Sequence, residues 1–190
     1  MLCPPPMPAT PLYAEATRDA LRRACASLDL AELTGNPFAM SQALAEVARC
    51  YCDLGAETSA EPYLEAAVRW ARASGSTDHL AELLCELANV AVRVAVELDL
   101  QGAEAPESGT CGHAARERAR DHAFEVSQLV ARISDAHCEA RLLLRASEVL
   151  ERCGDLADAR QLQVRALNRL GGVAPRDAAQ LSGLGRLADL

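Results

Sequence analysis

The chain has no lysine and very few aromatic residues. All 19 of its basic residues are arginines, and aromatic residues make up 3% of its 190 positions. A β-sandwich or β-barrel normally has more aromatic and β-branched residues, and it shows runs in which apolar and polar residues alternate; no such run is present. The lack of lysine is typical of a GC-rich genome. The alternative explanation is selection for the planar guanidinium group of arginine. These absences argue against an all-β protein.

Long apolar runs are also missing. No stretch of about 18 residues is both apolar and free of charge, so we expect no membrane-spanning helix and no membrane partner. Residues 1–6 contain no basic residue followed by an apolar core, so we expect no signal peptide. We predict that residues 1–11 form a disordered lead-in and that the protein is cytoplasmic.

The charge and the cysteines limit the function further. A net charge of −8 argues against nucleic acid as the main partner. The eight cysteines lie mostly on predicted helices, which favours reduced thiols packed as small apolar residues. No CxxC or HxxxH pair, phosphate-binding glycine loop or oriented nucleophile is recognisable. We therefore expect no metal, no cofactor and no catalytic activity.

What the sequence does contain is helical. Alanine, leucine, arginine and glutamate dominate, and all four are good helix formers. Glycine, proline and N-cap residues divide the chain into about eight predicted helices. In chain order these are 12–34, 38–54, 58–74, 77–100, 113–133, 134–152, 156–170 and one that starts at residue 175. The stretch 101–112 is low in hydrophobicity and contains Gly102, Pro106, Gly109 and Gly112, so we predict a flexible inserted loop there.

A pattern of small and large residues, called the frame below, recurs at steps of 20 residues along the predicted helices. Within one stretch, small residues at Ala48, Ala60 and Ala67 accompany an aromatic at Tyr51 and a turn glycine at Gly55. Small residues at these positions would let two helices approach closely. Steps of 20 residues connect equivalent positions, namely Ser27, Val47, Ala67 and Leu87 in the first half, and Val126, Ala146 and Ala166 in the second.

This pattern resembles the consensus of the tetratricopeptide-repeat (TPR) family over roughly residues 20–170. The middle repeat departs from it, because Ala91 stands where an aromatic is expected and no glycine marks the turn. The first predicted helix looks like the second half of an incomplete repeat. The resemblance implies an all-α fold, a right-handed antiparallel helix-hairpin solenoid. It also implies a single domain over residues 12–190, with 101–112 as an insertion.

The resemblance further implies a protein-binding function. In TPR proteins the first helix of each pair lines a concave groove that holds a peptide or a partner helix. The chain would then be an adaptor or chaperone that binds a protein or peptide partner. The alternative is a ligand-sensing regulatory module of a bacterial signalling or transcription system. A homodimer formed through an exposed apolar end helix is also compatible with the pattern.

The residues of this implied groove are mostly charged. Arg141 and Arg145 are one helical turn apart, so they share a face and could converge on one carboxylate. Glu46, Glu82 and Glu86 add negative charge, which favours a partner that carries both signs. The full predicted set is Gln42, Glu46, Arg49, Asp53, Glu82, Cys85, Glu86, Asn89, Arg93, Arg141, Arg145, Glu148 and Arg152.

Overall fold

The fold is all-α. The computed structural model describes residues 11–104 and 111–171, and within these two ranges it contains helices and turns but no strand. The helices are α1 (Pro11–Thr34), α2 (Pro37–Asp53), α3 (Glu57–Ser74), α4 (Thr77–Glu104), α5 (His113–Leu129), α6 (Ala136–Cys153) and α7 (Leu156–Gly171). A short 3-10 helix, Val130–Arg132, follows α5.

The structure confirms seven of the predicted helices and moves some of their ends. Helix α4 continues to Glu104, so the first four residues of the predicted loop 101–112 are helical. Helix α1 begins at Pro11, which we had placed in the lead-in. Helix α5 ends at Leu129, where one helix to residue 133 was expected. Most of the predicted lead-in, the centre of the loop and the eighth helix lie outside the described residues.

Glycine ends four of the helices. A left-handed backbone reverses the chain at the end of a helix, and only glycine adopts it without a steric penalty. The glycines that have this conformation are Gly35 (φ 61°), Gly55 (φ 70°), Gly75 (φ 74°) and Gly154 (φ 91°). Side-chain caps start two of the helices, α2 and α6. Asn36 accepts hydrogen bonds from the amides of Phe38 and Ala39, and Asp135 accepts one from His137.

The chain divides into two compact units, one that ends at Ser74 and one that begins at Gly75. In the N-terminal unit, α1 and α3 both pack against α2. Two tyrosine rings, Tyr51 on α2 and Tyr63 on α3, stack with their centroids 5.4 Å apart. A small cluster of buried residues lies between α1 and α2, and it comprises Ala24, Val47 and Cys50.

In the C-terminal unit, α4 packs against both α5 and α6, and α6 packs against α5 and α7. Helices α4 and α6 supply the largest fully buried side chains of this unit, which include Leu83, Leu84, Leu87, Leu142, Leu143 and Leu150. Burial of a leucine side chain contributes roughly 2 kcal/mol, so these two helices form the centre of the unit. The single domain expected over residues 12–190 stays a prediction, since the two units are described separately.

None of the described helices combines the length and the apolar character that a membrane span requires.

Candidate functional site

The predicted groove residues fall on three helices. Helix α2 in the N-terminal unit carries four of them, and α4 and α6 in the C-terminal unit carry the others. The polar surface shared by α4 and α6 is called the α4–α6 face below. Its residues are Glu82, Glu86, Asn89, Arg93, Arg141, Arg145, Glu148 and Arg152.

Two side-chain contacts join the helices across the α4–α6 face. The guanidinium of Arg141 donates to the carboxylate of Glu82 over 2.6 Å. Arg152 donates to the side-chain oxygen of Asn89 over 3.4 Å. Because both contacts connect predicted groove residues of different helices, the structure brings these parts of α4 and α6 together on one surface.

The Arg141–Glu82 pair changes what Arg141 can offer to a partner. Its guanidinium also contacts the sulfur of Cys138 at 3.8 Å, and that hydrogen bond, with the charge of Glu82, raises the pKa of Arg141. A partner's carboxylate would have to compete with Glu82 for it. Convergence of Arg141 and Arg145 on one external carboxylate therefore stays a prediction that requires this pair to open.

Arg145 and Glu148 are the groups of this face that remain uncommitted. Arg145 is half-buried and Glu148 is exposed on α6. Within the described part of the chain, no hydrogen bond or ion pair engages either charged group. The positive charge of Arg145 does act on Cys85, whose pKa it lowers in part. These two charges can meet a partner without breaking a contact inside the protein.

Cys85 lies beneath this face instead of on it. Its side chain is 1% exposed, and its thiol donates to the carbonyl oxygen of Leu142 at 3.9 Å. Burial raises its pKa to about 12, so the thiol is neutral over the physiological range. The expectation that Cys85 lines the groove is wrong, because the apolar core between α4 and α6 extends to this position.

In the N-terminal unit, the four predicted residues Gln42, Glu46, Arg49 and Asp53 are all exposed on α2. The structure separates them into two groups. Glu46 and Arg49 lie at the wall of a surface hollow between α1 and α2, whereas Gln42 and Asp53 do not line it.

This α1–α2 hollow has a volume of about 460 Å³. Pockets that hold small-molecule ligands are typically about 300–1,000 Å³ in volume. Its lining consists of Ala20, Arg23, Ala24, Ser27, Glu46, Arg49 and Cys50. The lining therefore combines small side chains with two arginines and one glutamate.

Sequence reasoning missed the α1 side of this hollow. It assigned the groove to first helices of pairs and treated α1 as a second helix, so Arg23 and Ser27 were not predicted to be site residues. The recurrence of the 20-residue frame at Ser27 was the available signal, because it placed a small residue where a helix crossing was expected. Burial raises the pKa of the Cys50 thiol at the same place, and Asp53 and Glu46 raise it further.

A buried carboxylate outside the predicted groove ties the last three helices together. Glu139 on α6 is 6% exposed and accepts hydrogen bonds from Arg165 at 3.4 Å and Arg169 at 2.7 Å, both on α7. Arg165 also donates to the carbonyl oxygen of Ser127 on α5 over 2.8 Å. All of these groups are satisfied inside the protein, so we assign Glu139 a structural role.

A second cluster holds the two ends of the inserted loop. The carboxylate of Asp99 on α4 accepts a hydrogen bond from the amide of Gly112 over 2.7 Å, and it also pairs with Arg116 on α5. Both contacts lower the pKa of Asp99, that of Arg116 first. A side chain at Gly112 would place its Cβ 2.2 Å from the carbonyl oxygen of Ala95, so only glycine fits here.

Nothing in the described ranges brings together three histidine, cysteine or carboxylate side chains that could hold a metal ion.

Comparison with known proteins adds little. No protein-family model matches the chain. No curated protein matches it either. Among solved structures, it is similar to one called "DHF58 filament", with 22% sequence identity and a TM-score of 0.43 over 88% of this chain and 84% of the other. At this level of similarity, the match supports no argument about function.

Proposed function

We propose that the chain is a non-catalytic protein-interaction scaffold, an adaptor or chaperone, built from TPR-like helix pairs arranged as a right-handed solenoid. The α4–α6 face is the surface that binds a segment of the partner. Homodimer formation and a cytoplasmic location belong to the same proposal, and so does the absence of a catalytic or cofactor site.

The observation that carries this proposal is the arrangement of charges on the α4–α6 face. Two contacts between the helices hold the ends of the face, at Glu82–Arg141 and Asn89–Arg152. Arg145 and Glu148 lie on α6 between the arginines of these contacts and are uncommitted. A polar surface with uncommitted charges of both signs favours a partner segment of mixed charge, since complementary charges select the partner and orient it.

The test is a quantitative pull-down with the full chain and two charge reversals, Arg145→Glu and Glu148→Arg. We expect each of the two variants to recover at least about tenfold less of the proteins that bind the native chain. This corresponds to a loss of about 1.4 kcal/mol in binding free energy. Arg160→Glu is the matched control, because Arg160 is exposed on α7, a helix that carries none of the residues of this face. Circular dichroism should show the same helicity for all three variants.

If the reversals on α6 leave the recovered proteins unchanged, or if Arg160→Glu removes them equally, the α4–α6 face is not the binding surface.

A further inference from the structure

The α1–α2 hollow lies beside residues of α1 whose equivalents in the frame are buried on other described helices. On α3, which packs against α2, the frame residues Ala60 and Ala67 are both 0% exposed. The equivalent residues of α5 and α7 are also 0% exposed, namely Ala119, Val126, Ala159 and Ala166. On α1 the same positions are Ala20, which is half-buried, and Ser27, which is exposed.

This difference has a geometric meaning. The small frame residues are buried on α3, which packs on α2, and on α7, which packs on α6. Among the described helices, only α2 packs substantially on α1, and it leaves Ala20 and Ser27 uncovered. Within the described residues, the surface of α1 therefore has the small residues of a helix crossing, and no described helix covers them.

Polar groups also face this hollow. The Cys50 side chain at its wall is 9% exposed, and within the described residues its thiol makes no hydrogen bond. Arg23 and Arg49 supply two positive charges to the lining and Glu46 one negative charge. No hydrogen bond or ion pair in the described ranges engages Arg23. The guanidinium of Arg23 can therefore bind a partner's carboxylate, which it would hold through two parallel hydrogen bonds.

We propose that the α1–α2 hollow is the docking site for an amphipathic helix of a partner protein. The helix places small apolar side chains against Ala20 and Ser27, the two frame positions of α1 that no described helix covers. An acidic residue beside its apolar stripe pairs with Arg23. This site goes beyond the proposed function, because it lies in the other unit and does not require the α4–α6 face.

The experiment measures binding of two synthetic probe helices to the full chain by fluorescence anisotropy. Both probes are hydrocarbon-stapled helices of about five turns with an alanine and leucine stripe. One carries glutamate beside the stripe and the other carries arginine at the same positions. We expect the glutamate probe to bind the native chain at least about tenfold more tightly than the arginine probe.

Three variants locate the binding. Arg23→Glu should reverse the preference between the two probes, because the charge that pairs with the acidic residue of the probe has changed sign. Ser27→Trp should abolish binding of both, because the indole fills the hollow from an exposed position. Arg18→Glu is the matched control, since it makes the same charge change at an exposed position of α1 that does not line the hollow. An uncharged probe measures the effect of the changed net charge. Once this effect is subtracted, Arg18→Glu should leave the affinities for both charged probes unchanged.

Several results would overturn the proposal. These are equal binding of the two probes, equal effects of Arg23→Glu and Arg18→Glu, or no binding of either probe. Analytical ultracentrifugation of the chain alone provides a further check. If the chain forms a dimer that Ser27→Trp abolishes, a second copy covers the hollow and the partner helix is excluded. None of these results depends on Arg145 or Glu148, so they leave the proposed function of the α4–α6 face to its own test.

Discussion

Helix α1 of the N-terminal unit and helix α7 of the C-terminal unit differ in burial at the same frame position. Ser27 on α1 is exposed, whereas Ala166 on α7 is fully buried against α6. The N-terminal unit contains a stacked tyrosine pair at its α2–α3 contact. The C-terminal unit is joined by ion pairs between helices, including Glu139 with Arg169 and Glu82 with Arg141. The comparison teaches that a recurring sequence frame fixes where helices can cross, but the available neighbours decide whether a crossing forms.

The largest effect on stability should come from enlarging a small frame residue that is buried. Ala67→Leu adds a branched side chain where α3 crosses α2, and we expect the free energy of unfolding to fall by about 3 kcal/mol. Ser27→Leu makes a similar change at the uncovered equivalent on α1, and it should alter stability by no more than about 0.5 kcal/mol. Urea denaturation of the two variants measures both values. Equal losses would mean that α1 is covered in solution.

A smaller effect should come from the ion pairs of the C-terminal unit. The Glu139 side chain is 8% exposed and contacts two arginines, so Glu139→Ala should lower the free energy of unfolding by about 2 kcal/mol. Glu82→Ala is the control, because the Glu82 side chain is 40% exposed and solvent screens its pair with Arg141. Its cost should stay below about 1 kcal/mol. If thermal or urea denaturation shows a larger loss of stability for Glu82→Ala than for Glu139→Ala, the structural role of Glu139 is contradicted.

Cys85 should have no pH-dependent effect on stability near neutral pH, and its contribution should appear only as a loss of stability at alkaline pH. Its pKa rises from 9.0 to about 12 on folding, so the folded state favours the neutral thiol. Stabilisation from this group is complete below about pH 9 and is lost as the pH rises toward 12. The slope is at most about 1.4 kcal/mol per pH unit. The native chain should therefore lose stability faster than Cys85→Ala between pH 9 and 11. Parallel profiles of the two proteins would show that the thiol is not buried.

Local signals in the sequence predicted most of the helices correctly. The turn glycines and the caps at Asn36 and Asp135 act within a few residues of themselves, so they can be recognised without knowledge of the fold. The predicted end of α4 is too early because Gly102 is typical of a helix end, whereas α4 continues to Glu104 beyond the contact of Asp99 with Gly112. Such contacts join residues 13 apart and leave no local pattern.

The site was less predictable than the fold. Helical periodicity indicated which residues of α6 face solvent, and Arg145 and Glu148 are accessible as expected. Periodicity could not show that Arg141 pairs with Glu82, a residue 59 positions away, or that the chain packs over Cys85. The role of Arg23 was also missed, because a hollow forms only when two helices are placed side by side.

The clamp of Asp99 on Gly112 and Arg116 has a consequence for how this chain can change in evolution. With α4 and α5 already held together at that end, the cost of lengthening the connection grows only with the logarithm of its length. Each doubling adds about 0.6 kcal/mol. Related chains can therefore differ widely in the number of residues between Glu104 and Cys111 while the helices on both sides stay in register. Gly112 itself cannot vary in the same way, because the backbone of Ala95 leaves no room for a Cβ.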